Sequence, residues 1–151
     1  MPNRRFAIIV SRFNEVVTER LLAGARACFS DEGFAESDIQ IYSVPGAWEL
    51  PVAALHAARS GVAGVVAIGC VIRGDTPHFD YVAGGAAEGL ARVSVETGVP
   101  VAFGVLTTED MDQALDRAGG KSGNKGYEAA QTALEMADLI GRMREERAST
   151  Q

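Results

Sequence analysis

The stretch VIRGDTPHFDYV, residues 71–82, places Arg73, Asp75, Thr76 and His78 close together just after an apolar run. An apolar run ending in Val71 and Ile72 gives way to Arg73, Gly74, Asp75, Thr76, Pro77 and His78, and then turns aromatic. Glycine allows backbone dihedrals closed to other residues. Gly74-Asp75-Thr76 therefore suits an anion-binding turn, in which successive N–H groups and the Thr hydroxyl converge on one phosphate. The charge of Asp75 does not oppose this, because the donors are main-chain groups and its carboxylate can face water. His78 follows within the reach of a proton shuttle, and an imidazole of ordinary pKa ~6.5 exchanges protons near neutral pH. The second histidine, His56, lies in a helical segment among alanines and reads as structural, whereas His78 sits beside the turn rather than on a helix face.

Two aromatics, Phe13 and Trp48, follow two other apolar runs at points where a loop is normally polar. They are either a plug beneath the loops or a pair of flat surfaces for a planar heterocycle, a contact that contributes ~1–3 kcal/mol per ring. Glu49 either opens a helix or accepts hydrogen bonds from a ligand. GGKSGNKG, residues 119–126, imitates a nucleotide-binding loop but does not qualify. Gly120-Lys121-Ser122 would require a glycine at position 115, which is Leu115, and the segment follows a helical pattern instead of a strand. Arg117, Lys121 and Lys125 still form a positive cluster before the last helix, open either to solvent or to a phosphate.

These residues need elements to hold them. RFAIIV (5–10), IQIYSV (39–44), GVVAIGCVI (64–72) and VAFGVL (101–106) read as short buried strands. Between them run helical patterns over Val17–Glu32, Glu49–Gly61 and Asp80–Thr97. A short helix after TTED then ends at Arg117, and a last helix covers Tyr127–Arg144. Strands alternating with helices predict βαβ units: an α/β, three-layer sandwich with a four-stranded parallel sheet and helices on both faces. In such sheets ligands bind beyond the carboxyl ends of the strands. SRFN (11–14), PGAWE (45–49), RGDTPH (73–78) and Thr107-Thr108 all fall there, while Phe103 lies within the fourth strand.

Composition sets the outer bounds. A chain of 151 residues forms a single domain over residues 1–151, with a frayed tail after about residue 146, and buries enough surface to need no disulfide or metal staple. Cys28 and Cys70 sit in apolar segments without metal or redox spacing. No secretory leader precedes the first strand and no apolar run approaches ~20 residues, so the expected compartment is the cytoplasm, without membrane contact. Net charge −6 argues against nucleic-acid binding. The basic RMREER (142–147) suits the carboxyl end of a helix.

Taken in order, RFNEVVTERLL, PGAWELP, GCVIRGDTPHFDYV, VAFGVLTTE and RAGGKSGNKGYEAA resemble the 6,7-dimethyl-8-ribityllumazine synthase family of riboflavin biosynthesis, from about Phe6 to Met136. The resemblance implies a flavodoxin-like fold and a transferase that uses no metal or organic cofactor. It condenses 5-amino-6-(D-ribitylamino)uracil with L-3,4-dihydroxy-2-butanone 4-phosphate, releasing phosphate and two waters. By the same resemblance Phe13 stacks on the pyrimidine, and Ala47, Trp48 and Glu49 hold the ribityl chain. Cys70, Val71 and Ile72 meet the uracil edge through main-chain groups. Asp75, Thr76 and Arg117 bind the butanone phosphate, and His78 moves protons. Phe103 enters from a neighbouring subunit, and Lys125 and Glu128 line the site.

The resemblance also implies a homopentamer, either free or assembled into an icosahedral shell of sixty subunits, and an association with riboflavin synthase. The compact GGKSGNKG turn favours the shell; the near absence of residues before Phe6 that could pair with a neighbouring sheet weighs against it. Two rival readings keep this architecture. One is a non-catalytic flavin- or lumazine-binding or cargo-enclosing shell, which His78 and Arg117 disfavour. The other is a flavodoxin-like signalling domain, which would need an acidic cluster after the first strand where this chain has SRFN.

Overall fold

The computed structural model describes residues 4–150. The four apolar runs form β1 (Phe6–Ser11), β2 (Ile39–Val44), β3 (Gly64–Ile72) and β4 (Val101–Thr108). They lie in one parallel sheet in the order β2-β1-β3-β4. All six residues of β1 and eight of the nine in β3 are buried. That is the physical meaning of an unbroken apolar run: a central parallel strand is covered on both faces. The edge strands β2 and β4 mix buried and exposed positions.

Helices α1 (Glu15–Asp31) and α5 (Lys125–Ser149) cover one face, and α2 (Leu50–Ala58) and α3 (His78–Thr97) cover the other. Strand periodicity of two divides the core accordingly. Phe6, Ile8, Val10, Val66, Ile68, Cys70 and Leu106 pack beneath α1 and α5. Ala7, Ile9, Val65, Ala67, Val71 and Val105 pack beneath α2 and α3. On the first face the two helices come very close: a methyl group placed on Gly126 of α5 would meet the Leu21 carbonyl oxygen of α1 at 1.9 Å. The three-layer sandwich expected from the sequence is the observed fold.

Boundaries differ in instructive ways. A one-turn 3-10 helix, Ala47–Glu49, precedes α2, which stops at Ala58 instead of Gly61. The third helix begins at His78, two residues earlier than the pattern suggested, so His78 is the first residue of α3 and the expectation that it lies off a helix is corrected. β4 absorbs Thr107 and Thr108. After the short α4 (Met111–Asp116), the 119–126 segment folds into a small antiparallel hairpin, β5 (Ala118–Gly120) with β6 (Gly123–Asn124). Asn124 then caps α5, its Oδ1 accepting from the N–H groups of Gly126 and Tyr127 at 2.8 and 3.1 Å. Helix α5 continues through Ser149, capped by hydroxyl and backbone bonds of Thr150, and Gln151 lies outside the described residues. His56 is exposed on α2.

Candidate active site

In the order β2-β1-β3-β4 the chain leaves β1 to one side and returns to the other, so the crevice between β1 and β3 is the topological switch point. A cavity of about 780 Å³ opens there. Phe13, Ala47, Trp48, Glu49, Cys70, Val71, Ile72, Thr76 and His78 all border it, nine of the residues singled out from sequence. Phe13 and Trp48 are 69% and 59% exposed, so neither is a plug; both are open apolar surfaces at the mouth of the slot.

The floor is β3 itself. Arg73 N donates to the Thr108 carbonyl and Val65 N to the Pro100 carbonyl, both at 2.9 Å, so odd-numbered main-chain groups of β3 turn to the β4 side. Cys70 and Ile72 therefore turn theirs the opposite way. The register of β1 against β3 ends at Val10 and Ile68, so the last residues of β3 extend beyond their neighbour. Asn14 fills part of the gap: its Nδ2 donates to the Cys70 carbonyl at 3.0 Å. Asn14 also holds the left-handed conformation (φ 63°) while its own carbonyl accepts from the N–H groups of Val17 and Thr18. One residue thus starts α1 and ties the turn after β1, with Phe13, to the slot floor. Sequence reading passed over Asn14; the only signal was that asparagine tolerates this conformation.

The walls are tied locally as well. Glu49 Oε1 accepts from Gly46 N at 2.9 Å, which leaves its other oxygen for a ligand. Thr76 Oγ1 accepts weakly from His78 N at 3.4 Å. Gly74 is not among the glycines with positive φ, so the turn does not use the special glycine conformation on which an anion nest was inferred. Asp75 is exposed and does not border the cavity. Arg73, given no role from sequence, organises this loop. Its guanidinium pairs with Glu109 at 3.0 Å and Asp80 at 3.7 Å, and lies 4.4 Å from the centre of the Phe79 ring. Burial pushes the Cys70 thiol up to about 11, which makes it a neutral part of the floor and no nucleophile near pH 7.

The remaining candidates lie elsewhere. Phe103, Arg117, Lys125 and Glu128 border a second cavity of about 520 Å³, together with Thr107, Thr108, Glu109, Gln113 and Ser122. Asp110 caps α4 by accepting from Gln113 N at 2.8 Å, and Lys125 N donates to the Arg117 carbonyl at 2.8 Å, which holds Arg117 against the start of α5. Arg117 and Lys125 form no salt bridge among the described residues, so their charges are available to an anion. Within one chain, therefore, Arg117 groups with Phe103 and not with Thr76.

An open parallel sheet with an aromatic, main-chain-floored slot at its switch point defines a binder of small planar-ring ligands. The particular family follows from comparison with known proteins: residues 3–141 match the family model described as 6,7-dimethyl-8-ribityllumazine synthase. Curated 6,7-dimethyl-8-ribityllumazine synthases from Chlorobium luteolum and Chlorobium limicola are similar. The first is 51% identical over 140 residues, covering 92% of this chain and 90% of the relative. The second is 52% identical over 136 residues, covering 89% and 88%. The chain belongs to the 6,7-dimethyl-8-ribityllumazine synthase family. Among the described residues, no helix is long and apolar enough to cross a membrane.

Proposed function

We propose that this chain, acting as one domain, is a transferase that condenses 5-amino-6-(D-ribitylamino)uracil with L-3,4-dihydroxy-2-butanone 4-phosphate to 6,7-dimethyl-8-ribityllumazine. The observation that carries the reading is the strand-end slot in which Phe13, Trp48, Glu49, Thr76 and His78 converge over the main chain of Cys70 to Ile72.

In this reading Phe13 stacks on the pyrimidine, and main-chain groups at the end of β3 meet its edge. The backbone of Ala47 and Trp48, with the free oxygen of Glu49, holds the ribityl hydroxyls. Thr76, at the end of the Asp75 turn, faces the phosphate. The uracil 5-amine attacks the ketone carbon and, after a first water departs, an imine forms. A proton leaves the adjacent carbon with assistance from His78, and its electron pair expels phosphate. The resulting enol takes up a proton to become a ketone bearing a new methyl group. The ribitylated nitrogen closes on that ketone and a second water departs. Holding the two reactants in register can supply ~7–11 kcal/mol, which makes His78 an assistant rather than the main source of rate.

Among the described residues, no Lys or Arg side chain lines the slot, and the nearby Arg73 is engaged by Glu109 and Asp80. Arg117, Lys125, Glu128 and Phe103 therefore serve the slot of a neighbouring copy. A homopentamer supplies that geometry, further assembled as a sixty-subunit shell, working in the cytoplasm and associating with riboflavin synthase. The exposed aromatics Phe13 and Trp48 beyond the strand ends, and Phe103 on the edge strand β4, support such a contact.

Mixing the purified protein with both substrates, while following lumazine absorbance and phosphate release, tests the activity. Formation of both products supports it; binding of lumazine without turnover overturns it in favour of a carrier. Analytical ultracentrifugation tests the assembly, and an active monomer would overturn the shared site.

A further inference from the structure

The indole of Trp48 rests against a glycine. A methyl group placed on Gly85 of α3 would stand 2.3 Å from Cζ3, 2.9 Å from Cε3 and 3.3 Å from Cη2 of Trp48. Non-bonded carbons settle near 3.5–4.0 Å, so the benzo edge of the indole already fills the space that a side chain at position 85 would need. One helical turn on, a methyl group on Gly89 would meet Cγ of Pro51 at 2.6 Å. Residues at i and i+4 share a helix face. Gly85 and Gly89 thus form a flat strip along which the segment entering α2 lies against α3. Glycine weakens a helix interior relative to alanine; here the missing side chains are where the indole and the proline ring lie.

Trp48 borders the slot and Gly85 does not, so the indole stands between the glycine and the cavity. It is also 59% exposed, so little packing on its outer side resists a swing. Resting on the function proposed above, we propose that Gly85 is a positioning residue for the pyrimidine substrate. It seats the Trp48 indole as one wall of the slot and so sets the slot's width. A side chain at 85 would displace the ring across the space the substrate uses, while the fold, whose obstruction is only the far end of a side chain, would remain.

The test compares wild type with Gly85→Ala, Trp48→Phe, the double variant and Gly89→Ala. Phenylalanine lacks the outer benzo carbons that crowd position 85. Loss of one ring contact should raise the KM of Gly85→Ala for the ribitylaminouracil about tenfold, with kcat and the KM for the butanone phosphate within about twofold of wild type. In the double variant the effect of Gly85→Ala should vanish, because residues in contact are not additive. Gly89→Ala, which meets Pro51 and not the slot wall, should alter stability and leave that KM unchanged. Trp48 is the only tryptophan in the sequence, so intrinsic fluorescence reports its seating without any turnover. The emission maximum and acrylamide quenching of Gly85→Ala should both differ from wild type. A wild-type protein that fails to form lumazine sinks the proposed function but leaves this spectroscopic comparison intact. Unchanged emission and unchanged KM in Gly85→Ala, or additive effects in the double variant, overturn the seating role.

Discussion

Replacing Asn14 separates two physical effects that meet at one residue beside the slot. Asn14→Gly keeps the left-handed conformation available and removes only the partly buried hydrogen bond to the Cys70 carbonyl. A bond of that kind contributes about 1 kcal/mol net. Asn14→Ala removes the same bond and also places a Cβ in the left-handed region, which adds about 1–2 kcal/mol. Expected destabilisation is therefore about 1 kcal/mol for glycine and about 2–3 kcal/mol for alanine. For a chain of this size each kcal/mol lowers Tm by about 2–4 °C. Asn14→Asp keeps the conformation but turns an acceptor toward the carbonyl, so it should fall below glycine in stability. Urea unfolding at matched protein concentration, followed by far-UV circular dichroism, gives the ranking. Both main variants should also raise the KM for the pyrimidine, because Phe13 is attached to the same residue. Equal losses for glycine and alanine would refute the conformational component. No loss in either would refute the tie between the end of β1 and the floor of the slot.

Other outcomes follow from the same geometry. Gly126→Ala should destabilise by about 3 kcal/mol or more, because the obstacle is the Leu21 backbone carbonyl and cannot rotate away; thermal melts check it. His78→Ala should slow lumazine formation by about 10- to 100-fold without abolishing it, as expected when proton transfer assists and alignment dominates. Complete loss in correctly assembled protein would contradict that. Arg117→Ala should raise the KM for the butanone phosphate and leave that for the uracil near wild type, measured by varying one substrate at a time. Both cysteines are raised from 9.0 to about 11, chiefly by burial. The native state therefore holds thiol protons that the unfolded state has already released, and stability should fall as pH rises from about 9 toward 11. Replacing both residues with alanine should flatten that part of the stability–pH profile, read by urea titrations at each pH.

The architecture was legible in the sequence because burial leaves a linear trace. Unbroken apolar runs marked β1 and β3 as strands covered on both sides, and Gly33 and Gly98 marked helix ends where φ is 87° and 71°. The strand-end rule places Phe13, Trp48, Glu49, Thr76 and His78 together from the sequence alone. What escaped depended on partners distant in the chain. Asn14 gains its role from a carbonyl 56 residues away, and Arg73 from Glu109 across the sheet edge. Gly85 matters because Trp48 lies on it, which no local pattern announces. Gly74 was misread for the complementary reason: a glycine permits an unusual conformation without requiring one, and the surrounding packing decides. The grouping of Arg117 with Phe103 likewise belongs to tertiary structure, since β4 and the hairpin before α5 meet only once the sheet has folded. Residue order dictates which faces are apolar and where chains turn; which reactive groups come within hydrogen-bond reach is set by how those faces pack.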